Sequence, residues 1–374
     1  MKVLQVYKDY YPPVTGGIEG HINLLANGLK RKGLDVHVLV SNTTARLDRE
    51  TIDGIPVTRV PQLGRFASAP LNPTFIFWLR RLGKDADILH FHFPNPTAEI
   101  SCLFSGLKNK VVVSYHSDIV RQAVSRKFYA PFLTMFLKKA DTIIAATTNY
   151  MNSSKELLMF RGKCKIITYG INLDKFNPRN DTHIKIDALR NIYEQPVILF
   201  IGKFRYYKGL HVLIEAMKDV KGKLLLIGTG DLEKDLRRQA AGAGLEDDIV
   251  FLGEVSDQEM VAYLHLCDLF VLPSIFRSEA FGIVQIEAMA CGKPVVSTEL
   301  GTGTSFVNQN RKTGLVVAPN DPAALSQAIN YLIDNPDIRK AYGRAGHERV
   351  EKYFSEESMV TSTINLYKEC LEDT

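Results

Sequence analysis

Short apolar runs rich in β-branched residues alternate with longer amphipathic stretches along this chain, and no other feature constrains its fold as strongly. A strand that is apolar throughout must be covered on both faces, as in a parallel sheet whose crossover helices pack on either side. The first half of the chain therefore predicts a doubly wound α/β domain. Its predicted strands are residues 3–7, 35–40, 86–92, 110–116, 141–146 and 164–170.

The same alternation restarts near residue 196 and predicts a second domain of the same kind. At about 150 residues per domain, a chain of 374 residues is long enough for two. The stretch 172–183 is polar and contains a proline, so we place the boundary after Gly170. The second set of predicted strands comprises residues 196–202, 223–228, 248–253, 269–274, 293–298 and 313–317.

The end of the chain, residues 355–374, has the pattern of an amphipathic helix, which we expect to return to the first domain. Two doubly wound sheets that face each other place the carboxyl ends of their strands around a shared inter-domain cleft. Ligands are expected in that cleft.

Composition excludes several classes of protein. Hydrophobic residues make up 45% of the chain and charged residues 23%, which is typical of a globular protein. Because no apolar run approaches ~18 residues and the N-terminus meets Lys8 and Asp9 early, neither a membrane span nor a signal peptide is expected. Five scattered cysteines without a Cys-x-x-Cys pair indicate reduced thiols and a cytoplasmic protein.

A glycine-rich turn, YPPVTGG at 11–17, follows the first predicted strand. Gly16 and Gly17 open a helix whose free N–H groups and partial positive charge suit a phosphate or the oxygens of a sugar. The turn lacks the spacing of the dinucleotide fingerprint. A purely structural role for the two glycines is the alternative.

A cluster of cations follows the strand predicted at 196–202 and comprises Lys203, Arg205 and Lys208. Cations beside a cleft are costly to leave unpaired unless an anion binds, and a diphosphate fits them. We expect the lysines not to be locked in ion pairs with acidic residues of the site, since such pairs would count against a transferase. The alternative is a solvated basic loop.

The segment 273–296 carries the most specific pattern in the chain. Glu279 precedes a helix predicted at 283–290, and Glu287 lies within it. In a continuous helix the two would be ~12 Å apart along the axis, whereas the paired carboxyls of a retaining glycosidase lie ~5–5.5 Å apart. We therefore expect one extended ligand held at several points, with Glu279 on a sugar hydroxyl and Glu287 on a ribose diol.

The start of that helix is expected to hold a diphosphate on its main-chain N–H groups. The alternative is a capped helix with an acid near its N-terminus, which the helix dipole favours in any case. That alternative explains Glu279 but not Glu287. The N–H groups concerned belong to Phe281, Gly282, Ile283 and Val284.

Three histidines lie on two predicted strands. His116 ends the strand at 110–116, so we expect it to face the cleft, where it can donate to a sugar hydroxyl. His90 and His92 alternate on a neighbouring strand, and we assign them structural roles because no third ligand of suitable spacing accompanies them. No metal site is expected.

Two of these patterns together resemble a known family. Gly-Lys-x-x-x-x-Lys-Gly at 202–209, with Ser-Glu-Ala-Phe-Gly-x-x-x-x-Glu-Ala-Met-Ala-x-Gly-x-Pro-Val-Val at 278–296, is similar to the retaining family-4 glycosyltransferases of the GT-B fold. The resemblance covers nearly the whole chain. It implies two facing Rossmann-like domains, of which 1–170 plus 355–374 binds the acceptor and 171–354 binds the nucleotide sugar.

The resemblance also implies how the donor is held. Lys203 and Lys208 would hold its diphosphate. Position 203 is more often Arg in the family, so the lysine here would replace a bidentate hydrogen bond by the contact of a single charge. The main chain of 281–284 would hold the phosphates. Glu279 would contact the donor sugar, and Glu287 the ribose.

The resemblance also implies roles for two residues of the first domain. Gly17 would lie near the diphosphate or the transferred sugar, and His116 beside that sugar. The implied reaction retains the anomeric configuration, with the leaving phosphate as base, and needs no cofactor and no metal. The residues that would carry catalysis are His116, Lys208 and Glu279.

The first domain is basic, since the first 170 residues contain 23 Lys and Arg against 12 Asp and Glu. Arg121, Arg126 and Lys127 mix with aromatic residues in one segment, and 73–84 contains the only Trp beside two arginines. Such segments suit an anionic membrane surface, which predicts a peripheral protein on the inner face of the cytoplasmic membrane and a polyprenyl-diphosphate-linked acceptor. The alternative is that the aromatic residues belong to the core and the charges serve solubility.

The segment HSDIVRQ at 116–122 looks like that of mannosyltransferases of O-antigen and exopolysaccharide assembly. The expected function is transfer of mannose from GDP-mannose to a saccharide acceptor in cell-surface polysaccharide or glycolipid assembly. Three alternatives stay open: transfer from UDP-glucose or UDP-N-acetylglucosamine to a soluble acceptor, a GT-B nucleotide-sugar epimerase, and a non-enzymatic sugar-binding protein. Nucleic acid is not an expected partner, because the cations are not organised around a groove-reading element.

Overall fold

The computed structural model of the chain describes residues 1–14, 16–66, 69–119, 123–178 and 180–372, with the backbone alone for 123–128 and 180–181. The chain divides into two compact units. Unit 1 consists of Met1–Gly170 with Glu356–Thr374, and unit 2 of Ile171–Ser355. The last segment of the chain therefore belongs to the same unit as the first.

Unit 1 is built on a mostly parallel sheet. Its strands are β1 (Lys2–Val6), β2 (Asp35–Ser41), β3 (Asp48–Ile52), β4 (Ile55–Val60), β5 (Arg65–Phe66), β6 (Ala69–Pro70), β7 (Ile88–Phe93), β8 (Lys110–Tyr115), β9 (Thr142–Ala145) and β10 (Cys164–Ile166). Within the described residues, eight of them form one sheet in the order β10-β9-β8-β7-β1-β2-β4-β3, and β5 pairs with β6. Every neighbouring pair of the eight is parallel except β3 with β4.

Unit 2 is built on a second sheet, and this one is parallel throughout. Its strands are β11 (Val197–Ile201), β12 (Lys223–Ile227), β13 (Ile249–Gly253), β14 (Leu269–Leu272), β15 (Val295–Thr298) and β16 (Gly314–Val317). In the part of the chain that the structure describes, they follow the order β13-β12-β11-β14-β15-β16.

Helices connect the strands of both units. Those of the first are α1 (Gly17–Arg31), α2 (Phe75–Gly83), α3 (Pro96–Phe104), α4 (Ala123–Lys139), α5 (Thr148–Ser153) and α6 (Lys155–Met159). Those of the second are α7 (Asn180–Ile192), α8 (Leu210–Ala216), α9 (Glu233–Gly242), α10 (Asp257–Leu266), α11 (Ile283–Ala290), α12 (Thr304–Val307), α13 (Pro322–Asp334) and α14 (Pro336–Tyr353). The last helix, α15 (Glu356–Glu372), completes unit 1. None of the described helices has the length and apolar character needed to cross a membrane.

The predicted α/β fold with two Rossmann-like units is confirmed. The physical reason is visible in β7, where all six residues are buried, because helices cover both faces of the sheet. The sequence analysis did not predict β3 and β4, because neither is an apolar run: β3 is almost entirely polar and exposed, and β4 contains a proline, a threonine and an arginine. The turn between them is Asp53-Gly54, both at positive φ, and an Asp-Gly pair is a hairpin signal that could have revealed these strands.

Helix α15 packs on α1, and its apolar residues join the core of unit 1. Met359, Val360 and Tyr367 are buried there. The two helices approach closely where α1 has a glycine: a Cβ on Gly28 would lie 2.3 Å from Val360 Cγ2. The C-terminal segment is thus a structural part of unit 1.

Replacing Gly28 by Ala should destabilise unit 1 by about 1–2 kcal/mol, because overpacking outweighs the gain in helix propensity. Gly20 of the same helix is the matched control, since no described atom outside the helix backbone lies within 4 Å of a Cβ there. Gly20→Ala should leave stability unchanged or raise it by up to about 1 kcal/mol. Urea unfolding followed by fluorescence of Trp78, the one tryptophan, measures both. Equal stability of the two variants would contradict this packing.

Candidate functional site

The strand order of unit 2 changes direction between β11 and β14, which pair directly. β12 and β13 extend the sheet on one side, and β15 and β16 on the other. In open α/β sheets, ligands bind beyond the carboxyl ends of the strands at such a switch point. The loop after β11 carries the Gly-Lys motif and the loop after β14 carries Glu279, so the two motifs meet although they are far apart in sequence.

Lys208 and Glu279 form an ion pair at this point. Lys208 Nζ lies 2.5 Å from Glu279 Oε2, and about a tenth of each side chain is exposed. Burial alone would lower the pKa of Lys208, but the carboxylate of Glu279 outweighs it and raises the pKa above its ordinary value. Ser274 Oγ donates to the same carboxylate oxygen at 3.1 Å. Lys208 therefore keeps its positive charge in this buried setting.

This ion pair corrects an expectation drawn from the sequence. We expected the cations after β11 to be free of ion pairs with the acids of the site, but Lys208 pairs with Glu279 and Arg205 with Asp231. The physical reason is that a buried lysine needs a counter-charge at all times. Lys203 is exposed, and its position permits contact with a ligand from the solvent side.

The loop that carries Lys208 is fixed by the next residue. Gly209 has φ +68°, and a Cβ there would lie 2.1 Å from the carbonyl oxygen of Pro273. Only glycine allows this backbone conformation together with this close approach between the loops after β11 and β14. The presence of glycine directly after Lys208 thus has a steric cause.

Glu279 lies before α11 and not within it. Its Oε2 is occupied by Lys208 and Ser274, and its main-chain oxygen accepts from Thr302 Oγ1 at 2.8 Å. Among the described residues, no donor contacts Oε1 of this carboxylate. One oxygen of a firmly held acid is therefore available for a hydroxyl group.

The start of α11 offers main-chain donors. Gly282 precedes the helix at φ 75° and ψ 60°, with no side-chain cap. Within the described chain, the N–H groups of Gly282, Ile283 and Val284 have no protein acceptor, whereas Phe281 has a partner of its own. Unpaired N–H groups at a helix N-terminus favour an anion.

Glu287 lies one turn into α11 and is half-buried. Burial raises the pKa of its carboxyl, Lys175 lowers it and Asp257 raises it further. Those two neighbours are paired with each other at 2.9 Å. In the described part of unit 2, no donor hydrogen-bonds to the Glu287 carboxylate, so both of its oxygens can accept from a diol.

In unit 1, Gly17 is the first residue of α1 and is exposed, as the glycine-rich turn predicted. His116 is buried directly after β8, and both of its ring nitrogens have partners. Its Nε2 lies 2.9 Å from His92 Nδ1, and its Nδ1 lies 2.6 Å from the hydroxyl of Tyr169. A sugar hydroxyl could bond His116 only by taking the place of Tyr169 or His92.

A third histidine joins this pair, contrary to the expectation from sequence spacing. Helix α1 brings His21 close, so that one ligand atom each from His21, His92 and His116 lies within 4.8 Å of the others, and the three could hold a metal ion. Spacing could not show this, because the residues come from three separate elements. Burial lowers the pKa of His21 to about 4. His92 and His116 already use all four ring nitrogens in hydrogen bonds, which does not favour a metal at this point.

The segments expected to meet a membrane divide between core and surface. Trp78 is buried, with the guanidinium groups of Arg49 and Arg81 over its ring, whereas Phe77 and Met135 are exposed. The core alternative is therefore correct for the tryptophan. The three cations assigned to this surface lie outside what the structure describes. Arg121 is not described at all, and the side chains of Arg126 and Lys127 are not described.

Two Rossmann-like units, one with a buried Lys–Glu pair beside an open helix start at its switch point, define the class of GT-B glycosyltransferases. Residues 15–175 match the family model described as Glycosyltransferase Family 4, and 183–349 that described as Glycosyl transferases group 1. The chain is 36% identical over 372 residues to the O-antigen chain mannosyltransferase C of Escherichia coli, covering 100% of this chain and 99% of that one. The chain belongs to the group 1, family 4 glycosyltransferases.

Two further known proteins are similar to this chain, one in sequence and one in fold. The chain is 38% identical over 355 residues to the D-rhamnosyltransferase WbpZ of Pseudomonas aeruginosa, covering 95% of this chain and 92% of that one. Among solved structures, the sucrose-phosphate synthase of Thermosynechococcus elongatus has a TM-score of 0.82 at 23% identity over the whole of both chains. The protein is thus a glycosyltransferase that acts on saccharides.

Proposed function

We propose that the protein transfers mannose from GDP-mannose to a saccharide acceptor in cell-surface polysaccharide or glycolipid assembly. Two relatives more than a third identical to it are named for transfer of mannose and of D-rhamnose. Rhamnose is 6-deoxymannose, so a donor sugar of manno configuration accounts for both names. The observation that carries the proposal is the Lys208–Glu279 pair beside the free N–H groups of α11.

In this proposal unit 2 binds the donor. The diphosphate accepts from the main-chain N–H groups of 282–284 and from Lys208, with Lys203 adding charge from the solvent side. Oε1 of Glu279 accepts from a hydroxyl of the sugar, and Glu287 accepts from the ribose diol. Gly17 and His116, in unit 1, contact the sugar that is transferred.

The chemistry is stabilisation of a leaving group. When the bond between the sugar and the diphosphate breaks, negative charge grows on the phosphate, where fixed N–H groups and a buried ammonium stabilise it most. Retention of configuration follows if the acceptor attacks from the same face and the leaving phosphate takes its proton. Lys208 and the helix start neutralise the diphosphate, so the proposal includes no metal and no cofactor.

Glu287→Ala should weaken donor binding about 10- to 100-fold, the value of one or two hydrogen bonds to a charged group. Turnover at saturating donor should change by less than about threefold, since the ribose is remote from the reacting bond. Glu348→Ala, which removes an exposed acid of the same unit, is the matched control. Steady-state kinetics with varied donor separates the two effects. A fall in turnover with unchanged donor affinity would contradict the ribose assignment.

Thermal unfolding with GDP, UDP or ADP tests the donor nucleotide. A ligand at 100 times its dissociation constant adds ~2.7 kcal/mol of stability. We expect the largest stabilisation with GDP. A larger effect of UDP would favour the alternative donors, and no effect of any nucleotide would overturn nucleotide binding.

The acceptor is proposed to be lipid-linked, reached from an anionic membrane surface. Phe77 of α2 and Met135 of α4 are exposed apolar residues in the basic unit. Flotation with phosphatidylglycerol vesicles should show binding that weakens at high salt and is absent with phosphatidylcholine. Binding that ignores salt and lipid charge would contradict the electrostatic part of the proposal, and no binding would favour a soluble acceptor.

A further inference from the structure

A continuous chain of buried hydrogen bonds runs from His116 to the C-terminal helix of unit 1. On one side of Gln5, His92 Nε2 lies 2.6 Å from Gln5 Oε1, and His92 Nδ1 lies 2.9 Å from His116 Nε2. His116 Nδ1 lies 2.6 Å from the Tyr169 hydroxyl. Gln5, on β1, and His92, on β7, are at most 1% exposed.

On the other side, the Gln5 amide bonds to the last helix. Gln5 Nε2 donates to the hydroxyl of Tyr367 at 3.2 Å, and that hydroxyl lies 2.6 Å from His90 Nδ1. His90 Nε2 lies 2.7 Å from Ser114 Oγ. Gln5 thus hydrogen-bonds to both branches, the one that ends near the proposed sugar site and the one anchored on α15.

The direction of every bond follows from the orientation of one amide. Burial lowers the pKa of His92 and of His116 well below the ordinary value, so each ring is neutral, with one nitrogen as donor and the other as acceptor. Gln5 Oε1 accepts from His92 Nε2, so His92 Nδ1 is an acceptor and His116 Nε2 is its donor. His116 Nδ1 therefore carries a lone pair and accepts from Tyr169.

Rotating the Gln5 amide by half a turn would reverse every one of these bonds. His116 Nδ1 would then carry the proton and donate. The orientation of the Gln5 amide therefore determines the tautomer of His116. The reason is that the hydrogen bond made by one ring nitrogen of a histidine decides which of its two nitrogens carries the proton. Tyr367, whose hydroxyl is also bonded to His90, holds the far side of the amide.

We propose that Gln5 is a positioning residue that sets the tautomer and the ring orientation of His116 through His92, and that Tyr367 of α15 holds the Gln5 amide in place. In this arrangement His116 presents an acceptor nitrogen at the position now bonded by Tyr169. The group suited to it is a hydroxyl donor, which is the chemistry of a saccharide. The functional part of this inference rests on the proposed contact between His116 and the transferred sugar.

Four variants separate this role from mere packing. Gln5→Met keeps the shape and removes the amide, whereas Gln5→Glu keeps an acceptor facing His92. Ser114→Ala removes the hydroxyl at the other end of the hydrogen-bond chain, which is separated from His116 by the largest number of hydrogen bonds. Tyr367→Phe keeps the buried ring and tests the anchor on the far side of the amide if Gln5→Met fails to fold.

The readout is the protonation of each His116 ring nitrogen in long-range ¹H–¹⁵N spectra, which needs no substrate. We expect the Nε2–H form in the wild type, Gln5→Glu and Ser114→Ala, and a mixture of tautomers in Gln5→Met and Tyr367→Phe. A single unchanged tautomer in both Gln5→Met and Tyr367→Phe would overturn the positioning role.

The functional part is measured separately as transfer to acceptor. Gln5→Met should lower kcat about tenfold and leave the affinity for the donor nucleotide unchanged, and Gln5→Glu should restore most of the rate. A changed tautomer with an unchanged kcat would support the positioning role of Gln5 but would refute the contact of His116 with the sugar. The two failures are therefore distinguishable.

Discussion

Lys208→Ala should lower the rate of sugar transfer about 10²- to 10³-fold, the usual effect of removing one preorganised group from a developing oxyanion. The reason is that the buried ammonium now beside Glu279 is the charge that the leaving diphosphate would meet. Release of nucleoside diphosphate in the presence of acceptor measures the rate. Wild-type turnover by this variant would remove Lys208 from the phosphate site.

The variant has a second effect that must be separated from the first. Without its lysine, Glu279 is a buried carboxylate with no counter-charge, and loss of one partner of a buried pair destabilises by about 3–5 kcal/mol. The double variant Lys208→Ala with Glu279→Gln removes that unpaired charge. It should regain stability but not activity. Arg238→Ala, at an exposed pair of the same unit, is the control and should stay within about threefold of the wild-type rate.

Acid should destabilise unit 1 through its buried histidines. Burial lowers the pKa of His21 to about 4 and of His90 to about 3, and it lowers those of His92 and His116 in the same direction. The unfolded chain therefore binds more protons than the folded one below about pH 6.5, and stability falls as the pH falls through that range.

One buried acid opposes this trend. Burial raises the pKa of Glu99 to about 8, so its folded form keeps a proton that the unfolded chain releases, and stability rises as the pH falls from 8 towards the ordinary value. Four buried histidines against one carboxyl leave a net loss of stability between pH 6.5 and 5.5.

Fluorescence of Trp78 reports this loss, because the one tryptophan is buried in unit 1. Unfolding midpoints in urea at pH 7.5, 6.5 and 5.5 give the pH dependence. His90→Gln should make the dependence shallower, whereas His211→Gln, at an exposed position of unit 2, should not. Equal stability at pH 7.5 and 5.5 would show that the histidines are protonated in the folded state or are not buried.

The sequence predicted the elements whose signals are local. Most strands of the two sheets are continuous apolar runs, and helix α11 begins at Ile283 as predicted because glycine precedes it and good helix formers follow. The C-terminal helix was predicted from its periodicity, but no local signal indicates that it belongs to unit 1. The hairpin of β3 and β4 was missed because β3 is polar along nearly its whole length and β4 is interrupted by polar residues and a proline.

The site could be predicted only in part, because its decisive contacts join distant residues. Lys208 and Glu279 are 71 positions apart, and nothing local indicates that they pair. Gln5 and Tyr367 are 362 positions apart. A polar residue in an otherwise apolar strand signals that Gln5, His90 and His92 have buried partners, but only the fold shows which partners they have.

In the proposed function, unit 2 binds the diphosphate of the donor at the start of α11 and at Lys208. Calorimetric titration of the whole protein with GDP and with GMP tests it most directly, since the two ligands differ only in the terminal phosphate. We expect GDP to bind at least about 30-fold more tightly than GMP, or about 2 kcal/mol, and the difference to shrink severalfold in Lys208→Ala. Equal affinities of the wild-type protein for GDP and GMP would contradict the claim.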